Sequence, residues 1–243
     1  MILIGANIMK DEAYIKMSDN ALSWNLPNVV SFFDTHRKTS SDVYPSERFF
    51  LEEKLKEDIS VLDIGCAQGG FAAIISEKLN KFSYTGIDIS KNMIDKAVNL
   101  YPQHQFHHVE EDNLSILSKC YDMVMLLGVL HVHEKWRDTV SVAWKHTKSV
   151  LIFDLRETIN ETIEDKKKSF FAMDIYKGNE ASSDTLPYNL INVSEAKETI
   201  ASICKGASKI SYYGYTQNFE TSRNKTSNTK LKNIINTTYL VEK

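Results

Sequence analysis

The stretch Val61-Leu62-Asp63-Ile64-Gly65-Cys66-Ala67-Gln68-Gly69-Gly70 carries the most informative spacing in this chain. A short apolar run ends in an acid and then in glycines, and Phe71, Ile74, Ile75 and Leu79 follow at helical spacing. Glycine lets a backbone turn tightly and approach a ligand where any Cβ would collide. A helix starting behind such a turn offers unpaired N–H groups and a positive dipole end to an anionic group. A second acid, Asp88, ends the run Tyr84-Thr85-Gly86-Ile87-Asp88. A carboxylate there can accept both hydroxyls of a ribose, as in dinucleotide-binding folds. Alone, the loop reads as a strand-to-helix turn and Asp88 as a helix N-cap. Together they point to a nucleoside.

The dinucleotide fingerprint G-x-G-x-x-G fails here, because Ala67 stands at its second glycine. Asp63, two places before Gly65, also puts a carboxylate at the strand end. That charge suits a ligand carrying a sulfonium and an ammonium group better than a pyrophosphate.

The elements that must hold these residues alternate. Residues 60–64, 82–87, 105–109, 121–127 and 149–153 read as strands, with helical spacing at 71–79, 93–98 and 136–145. Such alternation predicts parallel crossovers and a sheet covered on both faces. Tyr44-Pro45 opens a helix ahead of the first strand, since proline suits the first helical position. Ser194 reads as the N-cap of a helix running to Lys205, with Gly206 after its end. Two β-like runs, 209–215 and 236–241, form a hairpin closing the sheet edge. The polar, lysine-rich segment 157–187 reads as an insertion or lid, and 221–232 as a solvated loop. The expectation is one domain, 1–243: an N-terminal helical cap (1–43), a cofactor-binding core (44–156), the insertion (157–193), and a helix with its hairpin (194–243).

Composition sets the outer limits. With 42% hydrophobic and 25% charged residues, the chain falls among globular domains. Its 29 basic and 32 acidic residues, net −3, leave no nucleic-acid footprint. Cys66, Cys120 and Cys204 form no CxxC pair, which predicts a reduced, cytoplasmic setting. The apolar start Met1-Ile2-Leu3-Ile4 is too short for a signal peptide or a membrane span. His104, His107 and His108 lie on or beside one strand and need not converge, so no metal site is expected.

Asp63-x-Gly65-Cys66-Ala67-x-Gly69 resembles motif I of the class I S-adenosylmethionine-dependent methyltransferases, and Asp88 resembles their motif II acid. Glu111-Asp112-Asn113-Leu114 is similar to the acidic turn after the third strand. The run 121–132, Tyr-Asp-Met-Val-Met-Leu-Leu-Gly-Val-Leu-His-Val, resembles the fourth strand and following loop of small-molecule methyltransferases. The resemblance covers about residues 44–156. It implies a Rossmann-like, doubly wound, seven-stranded and mostly parallel sheet with an antiparallel C-terminal strand. It also implies S-adenosylmethionine as cofactor, with S-adenosylhomocysteine as product.

The roles it implies are specific. Asp63 would hold the methionine ammonium, directly or through water, while Gly65, Cys66, Ala67 and Gly69 let the backbone approach. Asp88 would bind the ribose, with Ile89 and Met93 against the adenine and Asp112 and Asn113 near its amino group. Leu127 and Leu130 would complete the wall, and Tyr44 and Arg48 would meet the methionine end.

For the acceptor, His131 follows the fourth strand at the crevice where open α/β sheets bind ligands. An ordinary pKa of about 6.5 would make it a candidate general base, with His133 behind it. Arg156, at the end of the fifth strand, can grip a phosphate or carboxylate. Tyr188, Asn189 and Tyr213 offer polar groups to an acceptor such as a sugar, a polysaccharide precursor or a secondary metabolite. The expected activity is methyl transfer to oxygen of a small polar acceptor, by a monomer or homodimer without nucleic-acid or membrane partners. The alternatives are another transfer from the same cofactor, or a non-catalytic regulator that binds it.

Overall fold

The computed structural model describes residues 19–110, 114–172, 185–219, 224–226 and 231–243. Apolar residues on both faces of the short runs demand cover on both sides, and helices supply it. Two short helices, α1 (Asp19–Trp24) and α2 (Pro27–Phe32), precede α3 (Pro45–Lys54). The alternating core is β1 (Ile59–Ile64), α4 (Gly70–Ser76), β2 (Phe82–Asp88), α5 (Lys91–Leu100), β3 (Gln105–His108), β4 (Tyr121–Leu126), α6 (Trp136–Lys145) and β5 (Thr147–Thr158). After it come β6 (Ser169–Ala172), β7 (Thr185–Pro187), β8 (Ile191–Asn192), α7 (Val193–Ile203), β9 (Lys209–Asn218), β10 (Asn224–Thr226) and β11 (Asn233–Glu242).

The main sheet runs β3-β2-β1-β4-β5-β11-β9. Its strands from β3 to β5 are parallel, and β11 is antiparallel to both β5 and β9. This is the mostly parallel sheet with an antiparallel C-terminal strand that the resemblance implies. The short β8 pairs with the far end of β5 and makes the sheet eight-stranded rather than seven. Alternation along β1 sends Leu62 to the face covered by Trp136, Val140 and Ile200, and Val61 to the face covered by Phe50, Phe71 and Ile75. Each such side chain, fully buried, contributes roughly 1.5–3 kcal/mol.

Three expectations change. The strand read as 149–153 extends to Thr158, so Arg156 lies inside it, opposite Asn236 of β11. Asn192, not Ser194, caps α7, its side chain accepting the N–H groups of Ser194 (2.9 Å) and Glu195 (3.3 Å). The insertion and the segment read as a solvated loop join, since β10, β6 and β7 form a separate three-stranded antiparallel sheet. Local polarity concealed that pairing. No helix among the described residues is long and apolar enough to cross a membrane.

Candidate active site

The β1–α4 loop bends because its residues adopt left-handed backbone angles: φ is +78° at Gly65, +48° at Ala67 and +77° at Gly69. A Cβ at Gly65 would sit 2.4 Å from Val129 Cγ2. The N–H groups of Gly65 (2.8 Å) and Cys66 (3.1 Å) donate to the carbonyl of Ile87, which ties the loop to β2. Asp88 completes the tie. Its Oδ2 accepts the Ala67 N–H and its Oδ1 the Ser90 N–H, both at 2.8 Å. Burial raises the Asp88 pKa, and these two N–H groups oppose the rise.

Above this loop lies a cavity of about 300 Å³. Gly65, Cys66, Ala67, Asp88, Ile89, Met93, Leu114 and Leu127 line it on the side of the parallel strand ends. Trp24, Phe32, Phe33 and Phe171 close it from the N-terminal helices and the small sheet. Tyr44, Arg37, His131, His133 and Arg156 add polar groups to the wall, beside His36, Lys38, Gln68 and Thr139.

Asp63 lies behind the loop rather than on the cavity wall, accepting a hydrogen bond from the Tyr84 hydroxyl. Burial pushes its pKa up to about 7, against the pull of Tyr84 and Arg37. An acid raised in the fold stabilises it fully below the unfolded pKa of about 3.9 and loses that contribution as pH climbs to about 7. Asp63→Asn cannot ionise and should escape this loss. Urea unfolding should show the variant gaining roughly 2–3 kcal/mol on wild type between pH 5 and pH 8. Curves that stay parallel would remove Asp63 as the titrating group.

Two ion pairs join the polar wall, one half-buried at Arg37 and the other buried. Arg37 donates from Nη2 to Glu47 (3.1 Å) and from Nη1 to the Leu127 carbonyl (2.9 Å). Burial works against the charge of Arg37, yet Glu47 and Asp154 hold its pKa above the ordinary value. Arg156 pairs with Asp154, whose Oδ1 accepts the Gly128 N–H at 2.5 Å. Asp154 stays below the usual carboxylate range despite burial, chiefly because of Arg156. The Tyr44 ring lies 5.8 Å from the Arg37 guanidinium and 5.9 Å from that of Arg156.

His131 does not keep an ordinary pKa. Burial, then the charge of Arg156, push it down to about 3, so the ring is neutral at neutral pH. Its Nδ1 is buried without a hydrogen-bond partner. His133 Nε2 meets Thr139 Oγ1 at 2.8 Å.

The other expected residues divide. Tyr44 and Leu127 reach the cavity; Arg48, Gly69 and Leu130 do not line it. Leu130 is core, and Gly69 caps α4. Asp112 and Asn113 lie outside the described residues. Tyr188 is buried behind the wall, its ring edge-on to His131 at 5.2 Å and stacked on Phe171 at 6.5 Å. Asn189 serves the loop instead of the cavity: its Nδ2 donates to the carbonyls of Leu130 (3.1 Å) and His133 (2.8 Å), and its N–H to that of His131 (2.7 Å). Tyr213 sits on the exposed edge strand against Phe49. Arg37, Glu47 and Asp154 were not singled out by sequence reasoning. Only the β5 run containing Asp154 carried a signal. Among the described residues, no group of three or more His, Cys, Asp or Glu side chains is placed to hold a metal.

Residues 62–149 match the methyltransferase domain family. Over 42% of its length the chain is 34% identical to the polyketide synthase PksM of Bacillus subtilis (strain 168), of which it spans 3%. Over 40% of its length it is 33% identical to the putative methyltransferase 235L of Invertebrate iridescent virus 6, of which it spans 36%. The chain thus spans well under half the length of these curated relatives. A solved S-adenosylmethionine-dependent methyltransferase from Clostridium acetobutylicum ATCC 824 shares the fold, with a TM-score of 0.52 at 15% identity over 83% of this chain and 93% of that one. The sheet order and the glycine loop thus accord with the methyltransferase domain matched at residues 62–149.

Proposed function

We propose that this domain uses S-adenosylmethionine to methylate an oxygen of a small molecule held beside Arg156 and His131. The observation that carries the reading is Asp88 on the cavity wall, with the tight glycine loop on one side and Ile89 and Met93 on the other. Each Asp88 oxygen accepts one backbone N–H and retains acceptor capacity for a ribose diol. Ile89, Met93 and Leu114 give an apolar slot suited to a flat base, and Arg37 offers its charge to a carboxylate. The residues present fit the cofactor.

When bound, that cofactor supplies a methyl group on a cationic sulfur, already activated for in-line displacement. The chain's own residues then position the acceptor and place charge around it. Asn189 holds the His131 loop, and Asp154 holds Arg156. With Tyr188 behind the wall and Tyr213 outside it, the support for a sugar is withdrawn. The aromatic closure by Trp24, Phe32, Phe33 and Phe171 favours a flatter, more apolar acceptor.

Calorimetry with S-adenosylmethionine and S-adenosylhomocysteine tests the reading. Both should bind wild type, and Asp88→Ala should weaken each at least about tenfold, or 1.4 kcal/mol. A wild type that binds neither sinks it. A labelled-methyl assay over candidate acceptors then separates an enzyme from a protein that only holds the cofactor.

A further inference from the structure

We propose that the acceptor enters this site as an ionised oxygen on a flat apolar body, a phenolate or carboxylate, received jointly by Arg156 and His131. The inference rests on the methyltransferase reading and names the substrate class for it. Both side chains line the same cavity. The Arg156 guanidinium is buried and fixed by Asp154, so its direction is set before any ligand arrives. Beside it, the buried His131 Nδ1 has no partner in the protein. A buried polar nitrogen left unpaired carries a desolvation penalty that a ligand oxygen would relieve.

The charges favour an anion. Arg37 with Glu47 and Arg156 with Asp154 make two balanced pairs and Asp88 lies at the ribose end, so the cofactor's sulfonium would be the one uncancelled charge facing the acceptor. An anionic acceptor cancels it, and a protonated His131 would double it. As a neutral ring bearing its proton on Nδ1, His131 donates a hydrogen bond to the oxyanion and takes no proton. The acceptor's proton leaves to solvent before binding. The other ionisable groups facing this pair are Tyr44, Tyr188, Tyr215, Arg37, Glu47 and Asp154, while His133 meets Thr139. Phe32, Phe33 and Phe171 supply apolar wall for the body of the molecule.

The probe is 4-nitrophenol, whose ionised form absorbs visibly and which ionises near neutral pH. It is titrated into the full chain with and without S-adenosylhomocysteine, beside benzoate and its neutral analogue benzamide. The bound phenol should ionise about one pH unit below the free phenol, equivalent to tenfold tighter binding of the anion. Benzoate should likewise bind at least tenfold tighter than benzamide, and the stronger anion tells phenolate from carboxylate. Arg156→Gln should erase both preferences, and Arg156→Lys should keep part of them. His131→Ala should weaken anion binding several-fold. Should Arg156→Gln misfold with Asp154 unpaired, the double variant Asp154→Asn/Arg156→Gln removes both charges and should show the same loss. Bound phenol that ionises above its free value, preferences that survive without Arg156, or no binding of either anion overturns the proposal. S-adenosylhomocysteine binding in the same samples is an independent readout, so failure of the cofactor reading is seen separately.

Discussion

Gly65→Ala is expected to weaken S-adenosylhomocysteine binding at least 100-fold and to destabilise the fold by roughly 2–4 kcal/mol. Two separate penalties combine. A Cβ on a left-handed backbone costs about 1–2 kcal/mol. The new methyl also lands 2.4 Å from Val129 Cγ2, a stiff β-branched side chain that cannot swing aside without moving the Val129 loop. Val129 leads directly into the turn carrying His131, so the strain spreads to the acceptor side. Gly206 supplies the control, because its φ is +82° and nothing lies within 4 Å of its missing Cβ. Gly206→Ala should show the backbone penalty alone, about 1 kcal/mol, with unchanged ligand affinity. Urea unfolding and calorimetry on both variants make the comparison, and similar affinities for the two would show that the glycine loop does not touch the ligand.

The second large effect concerns the pair at the N-terminal edge of the cavity. Arg37→Met is expected to destabilise the protein by about 3 kcal/mol, near the lower end for breaking a buried pair. The discount follows from exposure, since the Arg37 side chain is 21% exposed and that of Glu47 only 1%. The loss should be larger at pH 8 than at pH 5. Without Arg37, the buried Glu47 carboxyl titrates further up, and an acid raised in the fold loses stability as pH climbs. The double variant Arg37→Met/Glu47→Leu should recover much of the deficit, because neither charge is then stranded. A double-mutant cycle with Glu47→Leu should give a coupling of at least about 1 kcal/mol. Strict additivity would mean that the two side chains act independently.

The parts of this molecule legible in its sequence are those whose signals are local. The β1 run, its glycine turn and the acid closing β2 fall within 30 residues, and periodicity of 2 or 3.6 marks each element. That local order also brings Asp88, Ile89 and Met93 to the lining of one cavity. What escaped depends on contacts between distant segments. Arg37 meets the Leu127 carbonyl across 90 positions, and no spacing near Arg37 announces it. The pairing of β6 with β10 joins segments separated by α7 and β9, and polar composition gave no hint of it. Asn189 was expected to offer its amide to the acceptor at the end of the insertion, yet the loop after β4 takes its donors. The low pKa of His131 likewise comes from enclosure and from Arg156, neither of which residue type reveals.

The insertion of β11 between β5 and β9 also governs how the polypeptide can be made. As a nascent chain leaves the ribosome, β5 emerges more than 70 residues ahead of its antiparallel neighbour. Until residues 233–242 are clear of the exit tunnel, the outer edge of β5 and the whole of β9 present unsatisfied backbone groups to passing chains. Closure of the sheet therefore waits on this strand, and stalled translation before residue 233 would leave a species prone to aggregate.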